Sequence, residues 1–319
     1  MAVRGIRTSF KMSARPVASL DTALDRHVTP RTYHRYALRR PAAPSLIQER
    51  PERTLILKDV LSRSVLVVSC AMLAILGSAG AASAAPAVTV KAKIVPIPID
   101  PSSPHSPTYP GTGNILGAGA ALEAELKISG TEYGGYPSPI TKVVVELPQG
   151  TKLHQSGFAT CPTPILESHE VSHCPKKSFA GPVGEVLGVV SFGKTRVEEK
   201  ASIQAFFAPG NKLAFYTEGR EPASLEVLTI GSFSTAPPPF GPKFTVPVPL
   251  VLTVPEAPYA SVLSIRGKLG AAYKQDKKLI SYGTVPKKCP KGGFKGKVEL
   301  TFLSGETSTV EPVVPCPKR

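Results

Sequence analysis

The chain contains no tryptophan, three methionines and five cysteines in 319 residues, and aromatics make up only 7 % of it. Without tryptophan, the broadest apolar ring for stacking, a carbohydrate-binding module is weakened as an alternative reading, although tyrosine can also stack on sugars. Carboxylates are also scarce. Asp and Glu number 23 against 38 Lys and Arg, giving a net charge of +15, and beyond residue 84 aspartate occurs only at Asp100 and Asp276. No G-x-S-x-G elbow is present, and the only histidines beyond that point are His105, His154, His169 and His173, which leaves little from which to build a serine-hydrolase triad. A sustained helical period is missing as well. With 34 prolines, roughly twice ordinary usage, an all-helical fold is excluded, because proline fixes φ and lacks the N–H donor. A hydrophobic content of 42 % in turn excludes full disorder, collagen and coiled coil.

What the chain does contain begins with an export signal. Val65–Leu76 is an apolar run preceded by Lys58 and Arg63 and followed by small residues, with Ala82-Ser83-Ala84 as an A-x-A site. About a dozen apolar residues make an h-region rather than a span of about 20 residues, so cleavage after Ala84 is expected and an uncleaved anchor is the alternative. Cys70 has too few apolar residues before it for lipidation. Residues 1–63 read as an N-terminal extension, either disordered or included through a start codon placed too far upstream. Once residues 1–84 are removed, the remaining 235 carry +7, enough chain for a core without staples.

Four cysteines remain, each followed by proline: Cys161, Cys174, Cys289 and Cys316. In an oxidising compartment this even number reads as two disulfides. Three connectivities are open, and the sequence-local one, Cys161 with Cys174 and Cys289 with Cys316, is favoured. A four-thiolate zinc site would use knuckle spacings of two to four residues, which these cysteines lack.

Alternation dominates the rest. Leu122, Ala124, Leu126 and Ile128 share one face while Glu123, Glu125 and Lys127 share the other, the pattern of a half-buried strand. Further strands are expected at 141–147, 184–192, 199–207, 213–216, 224–233, 244–252, 260–266, 278–283 and 297–303, with Pro209-Gly210-Asn211 turning a hairpin. Such a series predicts an all-β fold, an antiparallel β-sandwich of immunoglobulin-like or jelly-roll-like kind with proline-rich loops. Residues 95–113 read as a polyproline-like lead-in or edge. Residues 85–319 are expected to form a single sandwich domain with a crossover at 236–249, a split at that point being the alternative.

Leu147-Pro148-x-Gly150, Phe158-Ala-Thr-Cys161-Pro162, Cys174-Pro175-x-x-Ser178, and the ending from Cys289-Pro290-Lys-Gly-Gly-Phe294 to Pro-Cys316-Pro317 together resemble an uncharacterised group of exported actinobacterial proteins. The resemblance spans most of residues 88–319. It implies an exported β-rich envelope or extracellular protein and brings no assigned activity.

Two constellations invite an enzymatic reading. His169-Glu170-Val171-Ser172-His173 matches H-E-x-x-H, in which two histidines bind zinc and the glutamate activates water, provided the segment is helical. Pro162, Pro164 and Pro175 bracket the segment too closely for a zincin helix, so a solvated loop closed by a Cys161–Cys174 bridge is expected and a secreted zinc metallopeptidase is the alternative. Glu123 and Glu125 lie on one strand face at glycosidase-like spacing, but Lys127 beside them makes an ordinary wet face the better reading. No cofactor is expected.

The strongest remaining asymmetry is charge. Residues 266–297 hold Arg266, Lys268, Lys274, Lys277, Lys278, Lys287, Lys288, Lys291, Lys295 and Lys297 against Asp276 alone. This region is expected to face an anionic partner such as a cell-wall polymer or another polyanion. Tyr273, Tyr282 and Phe294 interleave with the lysines and offer stacking platforms, yet nine lysines to one arginine do not predict specific nucleic-acid recognition. The reading that results is an exported, non-enzymatic structural or interaction protein of the envelope or extracellular space. Intact-mass spectrometry of protein recovered from its producer should give a chain starting at Ala85 that gains four hydrogens on reduction; a retained leader or free thiols would refute that processing.

Overall fold

A computed structural model describes residues 85–103, 105–109 and 115–317. The extension at 1–63, the signal at 64–84 and Cys70 lie outside the described residues. In chain order the strands are β1 (Ala87–Pro98), β2 (Thr108–Tyr109), β3 (Ala120–Ser129), β4 (Ile140–Pro148), β5 (Lys152–Leu153), β6 (Gly184–Phe192), β7 (Thr195–Ala208), β8 (Lys212–Glu221) and β9 (Leu225–Thr235). They continue as β10 (Phe240–Pro247), β11 (Ser261–Leu269), β12 (Ala272–Gln275), β13 (Lys278–Ser281), β14 (Gly283–Thr284), β15 (Phe294–Lys295), β16 (Lys297–Phe302), β17 (Thr307–Val310) and β18 (Val313–Val314). One five-residue helix, α1 (Thr163–Glu167), and two 3-10 turns lie between β5 and β6.

Twelve strands form one continuous sheet in the order β17-β16-β4-β10-β9-β8-β7-β6-β11-β3-β1-β2, and every pairing in it is antiparallel. The all-β antiparallel class is as the alternation predicts. In place of two facing sheets, a single sheet curls until β17 lies against β1, where Ser308 Oγ donates to the Pro86 carbonyl at 2.5 Å. Residues from opposite limbs meet inside the curl: Ile128 of β3 and Val88 and Val90 of β1 pack with Val298, Leu300 and Phe302 of β16. Period-two alternation fixes which side of a strand is apolar but not which strand bonds next to it, so one curled sheet satisfies the same pattern as a sandwich.

β1 carries its own alternation, Val88, Val90, Ala92 and Ile94, and pairs with β3 from Ala87↔Ser129 to Pro96↔Ala120. The proline-rich lead-in is therefore strand as far as Pro98. Phe240–Pro247, within the expected crossover, is β10 and lies between β9 and β4. Its Pro242 is tolerated because the ladder to β4 is irregular between Phe240 and Lys243. The strand expected at 244–252 accordingly starts and ends earlier.

β7 and β8 are apolar on both faces. Ala205, Phe207 and Leu213 face into the curl with Phe244 and Val246, whereas Phe206, Ala214 and Tyr216 face outward beneath Leu166 and the Cys161–Cys174 bridge. Both bridges have the sequence-local connectivity, with Cα–Cα separations of 4.9 and 6.0 Å. One end of the curl, reached by the close of β1, β4 and β11, is capped by the β12–β13 hairpin and the loop after β5. Phe158 packs on Phe207 at 4.7 Å, Phe207 on Tyr282 at 4.7 Å, and the Tyr273 hydroxyl donates to the carbonyls of Lys176 and Phe179 at 3.0 Å each.

Close packing makes two expectations measurable. Gly231 of β9 sits where an added Cβ would meet Phe244 Cζ at 2.3 Å, so Gly231→Ala should destabilise by about 1–3 kcal/mol in chemical denaturation; an unchanged midpoint would contradict this packing. Burial also pushes the hydroxyls of Tyr273 and Tyr282 above the ordinary phenol range. Because these pKa values are raised in the folded state, their contribution is complete below about pH 10 and is lost as pH climbs past it. The urea midpoint should therefore fall above about pH 10, and fall less steeply in Tyr282→Phe.

Candidate functional site

The H-E-x-x-H segment does not form a zincin helix. α1 ends at Glu167, and His169 has a left-handed φ of 61°. Val171–His173 then makes a single 3-10 turn. Each histidine instead has a carboxylate partner. His169 Nδ1 lies 2.9 Å from Glu226 Oε2 on β9, and His173 Nδ1 lies 3.3 Å from Glu170 Oε2. The hydrogen bonds from His169 and then Tyr216 hold the Glu226 carboxyl below its usual range. Burial, reinforced by Glu226, pushes Tyr216 up to about 12. This His169–Glu226–Tyr216 arrangement pins the disulfide loop to the outer face of β8 and β9. No group of three or more His, Cys, Asp or Glu suited to a metal occurs among the described residues.

Glu123 and Glu125 are neutralised along the ladder between β1, β3 and β11. Lys93 and Lys268 flank Glu123 at 2.8 and 3.8 Å; Arg266 and Lys127 flank Glu125 at 3.2 and 3.3 Å. Cross-strand pairing of opposite charges accounts for both carboxylates.

The ten cationic residues of 266–297 divide into two groups. Arg266 and Lys268 belong to that ladder, and Lys297 lies 4.0 Å from Glu299. Lys274, Lys277, Lys278, Lys287, Lys288, Lys291 and Lys295 are exposed and have no ion-pair partner among the described residues. These seven gather at the capped end of the sheet. The β12–β13 hairpin carries three; Lys287 and Lys288 lie on the loop leaving β14, which pairs with β5; Lys291 and Lys295 flank the Cys289–Cys316 bridge, where β15 pairs with β18.

Tyr273, Tyr282 and Phe294, read from sequence as stacking platforms, are buried. The cause of this burial is simple. In a two-stranded cap over an apolar interior, burying an aromatic ring outweighs leaving it in water, so the rings turn in and the lysines turn out.

Two clefts open at this end. One, of about 530 Å³, is lined by Thr151, Lys152, Leu153, His154, Asn211, Phe233 and Pro242. The other, of about 450 Å³, includes Asp100, Ser103, Ser106, Lys177, Tyr273 and Lys274. Lys152 and Lys177 thus join the basic end from β5 and from the turn after the first disulfide. Sequence reading missed both, since they lie far from 266–297 in the chain and only the fold brings them alongside.

No protein-family model, no curated protein and no solved structure matches the chain. The features on which its function can be argued are an all-β fold, two disulfides and a lysine-rich end with two clefts; no helix among the described residues is long and apolar enough to cross a membrane. Because the two histidines lack a shared helical face, dialysis against zinc should leave substoichiometric metal, unchanged by His169→Ala with His173→Ala. One tightly held zinc lost in that double variant would reverse this reading.

Proposed function

We propose that the protein is an exported, non-enzymatic interaction or structural module of the cell envelope or extracellular space, and that its lysine-rich end binds an anionic polymer. The observation that carries this reading is the convergence of seven exposed lysines, without an ion-pair partner among the described residues, on the end of the sheet where both clefts open. Like charges crowded together disfavour the folded state, and a polyanion relieves that repulsion while releasing its own counter-ions. Lysine suits the role: its hydrated, mobile ammonium meets a repeating polymer charge without the fixed geometry of an arginine fork. The two disulfides fit an oxidising compartment, as do the apolar run at 65–76 and the A-x-A site. The Cys-Pro framework's resemblance to exported actinobacterial proteins points the same way.

Retention on immobilised polyphosphate should fall steeply with salt. Replacing Lys274, Lys277 and Lys278 by Gln should lower the slope of log K against log salt by roughly 2–3, by analogy with counter-ion release from other linear polyanions. A slope unchanged in the triple variant, or binding insensitive to salt, would rule this reading out.

A further inference from the structure

The larger cleft differs from a plain basic surface, because its floor is apolar and its walls are not. Phe233, half-buried on β9, stacks against Phe244 with centroids 4.6 Å apart and planes at 30°, and Pro242 of β10 continues the apolar floor. Around that floor stand Thr151 and Lys152, His154, and Asn211 of the β7–β8 turn. Asn211 holds a left-handed φ of 56°, and the turn is tied to the loop after β5 by Gln155 Nε2, which donates to the Ala208 carbonyl at 2.9 Å. Two separate stretches of chain are thus fastened into one concave site. His154 is fixed in the same way, its backbone N–H donating to the Tyr282 carbonyl at 3.0 Å.

An aromatic and a proline ring beneath, with an amide, a hydroxyl and a cation at the rim, match one chemistry. A pyranose ring has apolar C–H faces and a polar rim, and an acidic sugar adds one negative charge. Sites of this kind gain affinity from the apolar floor and specificity from a few placed polar groups. A polyphosphate has no apolar face to use such a floor. The volume, about 530 Å³, falls within the range of small-ligand sites.

We propose that the Lys152–Asn211–Phe233 cleft is a subsite for an acidic polysaccharide, with Phe233 and Pro242 under the sugar face, Asn211 and Thr151 toward its hydroxyls, and Lys152 toward its carboxylate or phosphate. This rests on the polyanion reading above and narrows it to a polymer class. The exposed lysines then provide long-range attraction, and the cleft provides discrimination.

The test measures dissociation constants of the full processed chain for hexagalacturonate, neutral maltohexaose and inorganic polyphosphate, using wild type, Phe233→Leu, Asn211→Gly and Lys152→Gln. Leucine keeps apolar bulk against Phe244, and glycine keeps the left-handed turn, so thermal melts should match wild type. If Phe233→Leu fails that control, Asn211→Gly carries the comparison. The expected result is hexagalacturonate binding weakened about tenfold by Phe233→Leu and Asn211→Gly, polyphosphate binding unchanged by either, and both weakened by Lys152→Gln. Equal loss for both polymers, no loss for hexagalacturonate, or maltohexaose binding as tightly as hexagalacturonate would overturn the subsite. Polyphosphate binding without hexagalacturonate binding overturns the subsite and leaves the polyanion reading standing. Binding to neither polymer overturns both.

Discussion

A twelve-stranded antiparallel sheet presents two edges and, on its inner side, an apolar face that water does not tolerate; the curl that brings β17 to β1 answers both at once. Val88 and Val90 on one limb bury against Leu300 and Phe302 on the other, so the sheet serves as its own second layer. The edge pairing is incomplete, with a side-chain bond from Ser308 to Pro86 rather than a ladder. Its short flanking strands, four residues in β17 and two in β2, limit the exposed edge. Everything that follows depends on this closure, because a curled sheet has open ends that must be filled.

The filling of one end determines where the charge goes. Tyr273, Tyr282 and Phe158 turn inward onto Phe207, and the short strands that carry or neighbour them have only their other faces and turns left for water. Those positions hold the lysines. The concentration of charge at one end is therefore coupled to core formation: the rings that stabilise the cap and the ammonium groups that make it basic alternate along the same few residues. The Cys289–Cys316 bridge holds the last basic stretch to this end, and the Cys161–Cys174 bridge fastens a loop whose Leu166 covers the outward apolar face of β7 and β8. A sheet with both faces apolar over these strands needs that cover, which explains a staple in a chain long enough to fold without one.

Much of the strand content was legible because alternation is a local property. The segments around Leu122–Ile128, Val143–Leu147 and Ala201–Phe207 fall within observed strands, and the Pro209-Gly210-Asn211 turn joins β7 to β8. Proline misled in two places. Pro96 and Pro98 near the end of β1, and Pro242 in β10, sit at strand ends or an irregular ladder, positions that accept a missing N–H, so a proline-rich composition did not exclude strand there. The H-E-x-x-H segment is not helical for the opposite reason. The motif is meaningful only on a helix, and the prolines that shorten α1 leave His169 on the left-handed turn beyond it, bonded to Glu226 from 57 residues away.

By itself the sequence determined the all-β class, the four-cysteine framework and the basic stretch, since each rests on residue type and short spacing. It did not determine the partner of any strand, because a strand's alternation is the same whether its neighbour belongs to one sheet or two. Tertiary structure alone decided that the aromatics among the lysines are core rather than ligand platforms. It alone also decided that Lys152, Asn211 and Phe233, spread over some eighty residues, line one cleft. The physical reason is common to both outcomes: burial depends on the surface a side chain is packed against, and that surface is assembled from distant parts of the chain.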